Sequence, residues 1–197
     1  MVQDEVEPKV VKLKLCLAGE PAVGKSSLIK RFVLDTYDDR YIATLGTKVI
    51  KKTVRLVDQM TSRPVKADLI IWDVMGTRSI RDLLKEAYYH GAHGVMAVLD
   101  LSRRETMYEL DSWSKAIQTV AGTLPTQVVA NKIDLIEQRQ ITDDDLHRFC
   151  AARGWKFVTT SAKTGENVEQ AFVTLGQVVV ENVLAQARQV VPQTPVM

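Results

Sequence analysis

Apolar and polar residues alternate near the start of the chain. Between Val10 and Ala18, three leucines alternate with two lysines and a cysteine, and this period of two predicts a strand with one strongly apolar face. Residues 25–34 instead carry apolar side chains at helical spacing, which predicts a helix. The short loop between them therefore joins a strand directly to a helix.

Similar patterns recur along the rest of the chain. Strands at 49–58 and 65–74, joined by a polar turn at 61–64, predict an antiparallel hairpin. Further strands are predicted at 94–100, 127–130 and 155–159. A short helix is predicted to end near Tyr88 and Tyr89. Further helices are predicted at 106–120, 142–152 and 168–183, with Thr142 and Asp145 spaced as in a capping box.

Strands that alternate with helices predict an α/β fold in three layers. We expect a mostly parallel sheet of six strands with one antiparallel hairpin and about five flanking helices. The 197 residues, 46% hydrophobic and 25% charged, fit one domain. We assign residues 10–185 to it, with a flexible N-terminal extension at 1–9 and a flexible tail at 186–197.

Charge and cysteine content bear on the expected partners and cellular compartment of the protein. A formal net charge of +2, with basic residues spread along the chain, argues against a nucleic-acid partner. Cys16 and Cys150 lie in a predicted strand and helix without metal-ligand spacing, so we expect them buried and reduced, in the cytoplasm. No apolar run is long enough for a bilayer, Val2 stands where myristoylation needs glycine, and the last residues hold no cysteine. Membrane recruitment would then need a partner or a missing C-terminal segment.

The loop after the first strand is a glycine-rich phosphate-binding motif. Residues 19–26 read Gly-Glu-Pro-Ala-Val-Gly-Lys-Ser, between a strand and a helix as a P-loop requires. Gly19 and Gly24 let the backbone N–H groups turn toward phosphate, and Lys25 can reach the β- and γ-phosphates. The Ser26 hydroxyl can ligate Mg²⁺. The nucleotide-binding residues expected here are Ala22, Val23, Gly24, Lys25, Ser26 and Ser27.

The remaining motifs each follow a predicted strand, where ligands of such sheets bind. Asp73 ends the third strand and can hold Mg²⁺ through water, while Gly76 can offer a backbone N–H to a γ-phosphate. Asp134 follows the fifth strand and can accept two N–H bonds from guanine, which adenine does not offer. The flanking residues assigned to the base are Asn131, Lys132, Ser161, Ala162 and Lys163.

Together these motifs resemble those of the Ras superfamily of small GTPases, closest to the Rab and Ras branches, over residues 10–185. The resemblance implies the small G-domain form of the P-loop NTPase fold. Counted from Lys25, it places Tyr37 over the guanine, Tyr41 over the phosphates and Thr44 on Mg²⁺ and the γ-phosphate. Trp72 to Gly76 resembles the second switch segment, with Val74 and Met75 replacing the usual Thr and Ala.

The resemblance implies a switch controlled by bound GTP or GDP with Mg²⁺. Residues that contact the γ-phosphate would release both switch segments after hydrolysis, so effector, exchange-factor and activating proteins are the expected partners of a monomer. The expected metal contacts are Ser26, Thr44 and, through water, Asp73. The residues assigned to catalysis are Lys25, Thr44, Gly76 and Thr77.

Two positions depart from the family pattern. Thr77 stands where the family commonly has a glutamine that orients the attacking water, so we expect slow intrinsic hydrolysis. The Rap branch also carries threonine there and is served by an activating protein that brings its own carboxamide. Pro21 stands where Gly or Ser is usual and an arginine finger would pass, and its ring fills space and lacks an N–H.

Three other functions remain open at this level. The chain can be a GTP-binding module with negligible hydrolysis, which Pro21 and Thr77 favour, or a P-loop kinase or ATPase, which would have no use for Asp134. The third is a scaffold that binds no nucleotide. It is the least favoured, because Lys25, Ser26 and Asp134 would then be surface residues whose identity serves no function.

Several smaller signals have structural interpretations. His90 and His93 are expected in an exposed turn rather than on a metal. The basic residues of the strand at 49–58 are expected to protect a sheet edge. Core or half-buried packing is expected for Trp113, Trp155, Phe157 and Phe172.

Overall fold

A computed structural model describes residues 9–37, 47–74 and 86–190 of the chain. Tyr41, Thr44, Gly76 and Thr77 lie outside the described residues, and so do Met75 and the segment 191–197. The side chains of Thr47, Val74 and Val190 are likewise left undescribed.

The described strands form one sheet. They are β1 (Lys9–Ala18), β2 (Thr47–Asp58), β3 (Arg63–Val74), β4 (Gly94–Asp100), β5 (Thr126–Asn131) and β6 (Lys156–Thr160). Their spatial order is β2-β3-β1-β4-β5-β6. Neighbouring strands run parallel except β2 and β3, which form an antiparallel hairpin. The predicted α/β class with a mostly parallel six-stranded sheet is therefore confirmed.

The helices are α1 (Lys25–Leu34), α2 (Glu105–Tyr108), α3 (Leu110–Ala121), α4 (Asp143–Ala151) and α5 (Val168–Val190), with a 3₁₀ turn at Ile136–Gln138 and further helical residues at 86–89. Helix α5 includes residues 186–190, which the sequence analysis assigned to the tail. Helix α4 begins with the predicted capping box, since Thr142 and Asp145 bond each other's backbone N–H. Among the described residues, no helix has the length and apolar character needed to cross a membrane.

Both faces of the sheet are covered. The leucines of β1 pack with α1 and α5 on one face, where Phe32 and Phe172 stack with ring centroids 4.2 Å apart. Cys16 and Ala18 point to the other face and pack against Trp113 of α3. The end of β1 is therefore buried on both faces, although its alternation predicted only one apolar face, because small Cys and Ala side chains fit beneath a helix.

Both cysteines are buried, as the sequence predicted. Burial raises the pKa of Cys16 to about 12 and that of Cys150 to about 11. Because a thiolate is the reactive form, both side chains are inert thiols at neutral pH.

The β2–β3 hairpin corrects the predicted turn. Asp58 pairs with Arg63, so Arg63 and Pro64 belong to β3 rather than to the turn. Proline is tolerated there because pairing with β1 begins only at Val65, so no ladder bond is lost.

Strand β2 lies at the sheet edge, which supports the edge interpretation of its basic residues. Lys51 lies 3.3 Å from the Asp68 carboxylate, and the Lys52 ammonium bonds the Phe32 carbonyl and lies over the Phe32 ring. The ammonium groups of Lys51 and Lys52 therefore contact other residues of the same chain.

Candidate functional site

The loop between β1 and α1 has a backbone that only a few residue types adopt. Gly19, Ala22 and Gly24 all have positive φ, at 139°, 62° and 104°. A Cβ on Gly19 would lie 2.2 Å from the Val98 carbonyl oxygen of β4, so the close approach of loop and sheet requires glycine. A loop with several positive-φ residues can turn backbone N–H groups toward one point, which is one way in which proteins build anion sites.

Lys25, the first residue of α1, is held inside this loop. Its side chain is buried, and Nζ donates to the carbonyl oxygens of Gly19 at 2.8 Å and Glu20 at 2.9 Å. Burial lowers the Lys25 pKa to about 8, although the Asp73 and Glu20 carboxylates oppose the shift. The ammonium therefore remains mostly charged at neutral pH beside the N-terminus of α1, where the helix dipole also favours an anion.

Ser26 and Asp73 meet beside Lys25, at the end of β3. The Ser26 hydroxyl donates to Asp73 Oδ2 at 2.6 Å. The other carboxylate oxygen, Oδ1, is buried and has no hydrogen-bond partner among the described residues. Burial raises the Asp73 pKa, against the hydrogen bond from Ser26 and the charge of Lys25.

A buried carboxylate oxygen without a partner needs a cation or a donor to compensate it. Asp73 and Ser26 together offer the oxygen ligands that Mg²⁺ prefers, so these residues fit a magnesium site. Thr44, the third residue assigned to the metal, lies outside the described residues.

Asn131, the last residue of β5, connects the phosphate loop to the loop after β6. Its Nδ2 donates to the Val23 carbonyl at 2.9 Å, and its Oδ1 accepts from the Ala162 N–H at 3.1 Å and the Thr160 hydroxyl at 3.2 Å. Asn131 and Ala162 therefore bond each other in the structure, and the contacts with the base that the sequence analysis assigned to them stay predictions.

Asp134 is the carboxylate that the sequence analysis assigned to base recognition. It is half-buried, and its Oδ1 accepts from the Ser161 hydroxyl at 2.6 Å. Ser161 Oγ in turn accepts from the Thr164 N–H at 3.0 Å, so the orientation of the carboxylate is fixed by the loop after β6. Oδ2 makes no hydrogen bond with the part of the chain that the structure describes, and it remains available for a ligand.

Two further contacts hold this pair of loops. Lys132 Nζ lies 2.7 Å from Asp100 Oδ2, so the structure uses this side chain as an anchor at the end of β4. Arg31 of α1 donates to the carbonyls of Ala162 at 3.0 Å and Lys163 at 2.6 Å. Sequence reasoning missed Arg31 and Asp100, although an aspartate closing an apolar strand was a visible signal.

Two other predicted site residues lie in and just after α1. Ser27 lies half-buried in the first turn of α1, and Tyr37 is 37% exposed shortly after that helix ends. The roles assigned to Tyr37, Tyr41, Thr44, Gly76 and Thr77 stay predictions.

The two histidines have different surroundings. His90 is exposed as expected, but His93 is half-buried, and its Nδ1 accepts from the Lys14 N–H at 3.0 Å. Within residues 9–37, 47–74 and 86–190, no group of three or more His, Cys, Asp or Glu side chains is arranged to hold a metal ion.

The P-loop, the Ser26–Asp73 pair and the Asn131–Asp134 segment therefore gather at the carboxyl ends of β1, β3 and β5. A family model described as "Ras family" matches residues 14–181, which contain all three. This match covers most of the chain, and the family consists of small GTPases that act as guanine-nucleotide switches. The chain belongs to the Ras family of small GTPases.

Proposed function

We propose that this chain binds GTP and GDP with Mg²⁺ and hydrolyses GTP slowly, as a switch read by other proteins. The observation that carries the proposal is the link made by Asn131, which joins the loop that encloses Lys25 to the loop that orients Asp134. One side chain thereby connects the loop proposed to bind phosphate to the loop proposed to bind the base. Such an arrangement suits a ligand with a purine at one end and phosphates at the other.

Each end of the site has a defined chemical role. The N–H groups around Gly24 and the Lys25 ammonium would bind the phosphate oxygens, and Lys25 would stabilise negative charge that builds up as the γ-phosphoryl group leaves. Mg²⁺, held by Ser26, Thr44 and, through water, Asp73, would supply positive charge to the phosphate oxygens. Asp134 would accept from the two guanine N–H donors, because Ser161 fixes its direction.

The switch itself depends on residues outside the described part of the chain. Thr44 and Gly76 are proposed to contact the γ-phosphate only while GTP is bound. Loss of that contact would free both segments and change the surface seen by effectors, exchange factors and activating proteins. We further propose that the protein acts as a cytoplasmic monomer and that residues 10–185 form the working domain.

The identity of the bound nucleotide tests the proposal directly. Protein purified without added nucleotide is denatured, and the released ligand is separated by chromatography; GDP or GTP is expected at close to one per chain. Calorimetry on stripped protein then compares GDP with ADP, and we expect at least a 100-fold preference for GDP because Asp134 offers adenine no matching donors. Equal affinity for ADP would contradict guanine recognition and favour a P-loop kinase or ATPase.

Thr77 is proposed to limit the hydrolysis rate. Its hydroxyl lacks the paired donor and acceptor of a carboxamide, so it orients the attacking water poorly. Thr77→Gln is therefore expected to raise the single-turnover rate of preloaded GTP at least about tenfold without an activating protein, while Thr77→Ala gives no gain. An unchanged rate in Thr77→Gln would remove Thr77 as the cause of slow turnover.

The alternative is a GTP-binding module with negligible hydrolysis. Pro21 favours it, because proline in the phosphate loop restricts the space near the γ-phosphate. Phosphate release from preloaded protein, with and without cell extract, distinguishes the two. Release that stays at background in both conditions would favour the module.

A further inference from the structure

Arg103 reaches the phosphate loop from the turn after β4. Its Nη2 donates to the Pro21 carbonyl at 2.9 Å, and its Nε donates to Asp100 Oδ2 at 2.9 Å. The guanidinium thus bridges two segments that are far apart in sequence. No sequence motif pointed to this residue.

Asp100 anchors the Arg103 side chain. Its side chain is 1% exposed, and Oδ1 accepts from the Ser102 N–H at 2.9 Å and the Ser102 hydroxyl at 2.7 Å. Oδ2 is shared by Arg103 and Lys132. Although burial favours the neutral acid, the hydrogen bonds from Lys132, Ser102 and Arg103 lower the Asp100 pKa, so the carboxylate stays ionised.

Three successive carbonyls of the phosphate loop are therefore held by cations. Lys25 takes those of Gly19 and Glu20, and Arg103 takes that of Pro21. A peptide unit is planar, and in the trans form its C=O and N–H point in opposite directions. Because no peptide bond in the described residues is cis, the Pro21 carbonyl that faces Arg103 directs the Ala22 N–H to the opposite side.

We propose that Arg103 is a positioning residue that holds the Ala22 N–H in the direction needed to bind phosphate. Through Asp100, the same guanidinium is connected to Lys132 in the base-binding segment. Pro21 suits this arrangement because its ring fixes φ and leaves the carbonyl as its single backbone hydrogen-bonding group. The inference rests on the proposed function, since it concerns how the same site binds the phosphates of a guanine nucleotide.

The test compares Arg103→Gln with Arg104→Gln in the full-length, nucleotide-stripped protein. Arg104 is the matched control because it bonds Asp145 and Gln140 and, within the described residues, makes no hydrogen bond or ion pair with the phosphate loop. Calorimetry is expected to show GDP affinity about 10-fold weaker in Arg103→Gln and within twofold of wild type in Arg104→Gln. Guanosine, which has no phosphate, should lose less than twofold in both variants.

Amide NMR of Ala22 distinguishes positioning of its N–H from a general effect of Arg103 on stability. The Ala22 N–H resonance and its hydrogen-exchange rate are expected to change in Arg103→Gln but not in Arg104→Gln. Arg103→Lys should recover only part of the affinity, because one ammonium lacks the planar fork that serves both Asp100 and Pro21. It also keeps the charge, so it remains informative if Arg103→Gln fails to fold.

The outcomes distinguish a failure of the Arg103 positioning role from a failure of guanine-nucleotide binding itself. If wild type binds GDP and Arg103→Gln matches Arg104→Gln in affinity and in the Ala22 signal, the positioning role is overturned alone. Equal losses for GDP and guanosine would also overturn it, because the effect would then not concern phosphate. Failure of wild type to bind any guanine nucleotide overturns the proposed function and this inference with it.

Discussion

Replacing Asp134 with alanine is expected to weaken GDP binding by about 10²- to 10⁴-fold. Asp134 would accept two N–H bonds from guanine, and a hydrogen bond to a charged group contributes about 1.5–3 kcal/mol. Removing both acceptors leaves two guanine donors without partners. Calorimetry on stripped protein measures the loss, and the same titration with ADP should change much less, so the base preference itself should collapse.

Asp144→Ala is the matched control for Asp134→Ala. Asp144 is exposed in the first turn of α4 and lies outside the loops that carry the site. Its removal should leave GDP affinity within twofold of wild type. Guanine preference that survives in Asp134→Ala would show that the base is read elsewhere, and the assignment of this segment to guanine would then be wrong.

Replacing Lys25 with methionine is expected to abolish most phosphate binding, with GTP and GDP affinity falling by about 10³-fold or more. The change removes a buried cation that also holds two loop carbonyls. Burial lowers the Lys25 pKa, so the nucleotide-free fold carries a desolvation cost that methionine avoids. Thermal unfolding of stripped protein should therefore show little loss of stability, in contrast to the large loss of affinity.

Lys30→Met tests whether this effect is specific. Lys30 is an exposed lysine on the same helix, so its replacement should leave nucleotide affinity nearly unchanged. A Lys25→Met variant that binds GTP as tightly as Lys30→Met would contradict the role of Lys25 in phosphate binding.

The Lys25 pKa also predicts a pH dependence of binding. With a pKa of about 8, Lys25 in the free protein is mostly charged at pH 7 and mostly neutral at pH 9. Bound phosphate favours the ammonium, so binding at pH 9 should take up a proton and weaken relative to pH 7. Calorimetry at pH 9 in two buffers of different ionisation enthalpy detects the uptake, which Lys25→Met should lack.

The periodicity of the sequence was sufficient to predict the fold class and most elements. Local patterns decide whether a segment is a strand or a helix, and the P-loop motif depends on adjacent residues. The start of β3 was less predictable, because Pro64 is compatible with a strand only where the neighbouring strand has not yet begun to pair. The start of β3 therefore depends on its pairing register with β1 and β2, which local sequence does not reveal.

The supporting contacts of the site could not be predicted from local pattern. Arg31 bonds residues after β6, and Arg103 bonds Pro21, so each contact joins segments that only the folded topology brings together. The motif residue Asn131 illustrates the same limit. Its position in the sequence was recognised, but its two hydrogen bonds to other loops show that it holds the site together.

This amide has a consequence for how a ligand would leave. Because the Asn131 side chain bonds Val23 of the phosphate loop and Ala162 of the loop after β6, moving either loop alone would strain or break one of these hydrogen bonds. For a nucleotide bound through both loops, as proposed above, we therefore expect release to involve both loops together rather than one after the other. We expect that an exchange protein which displaces either loop also disturbs the other, because Asn131 bonds both.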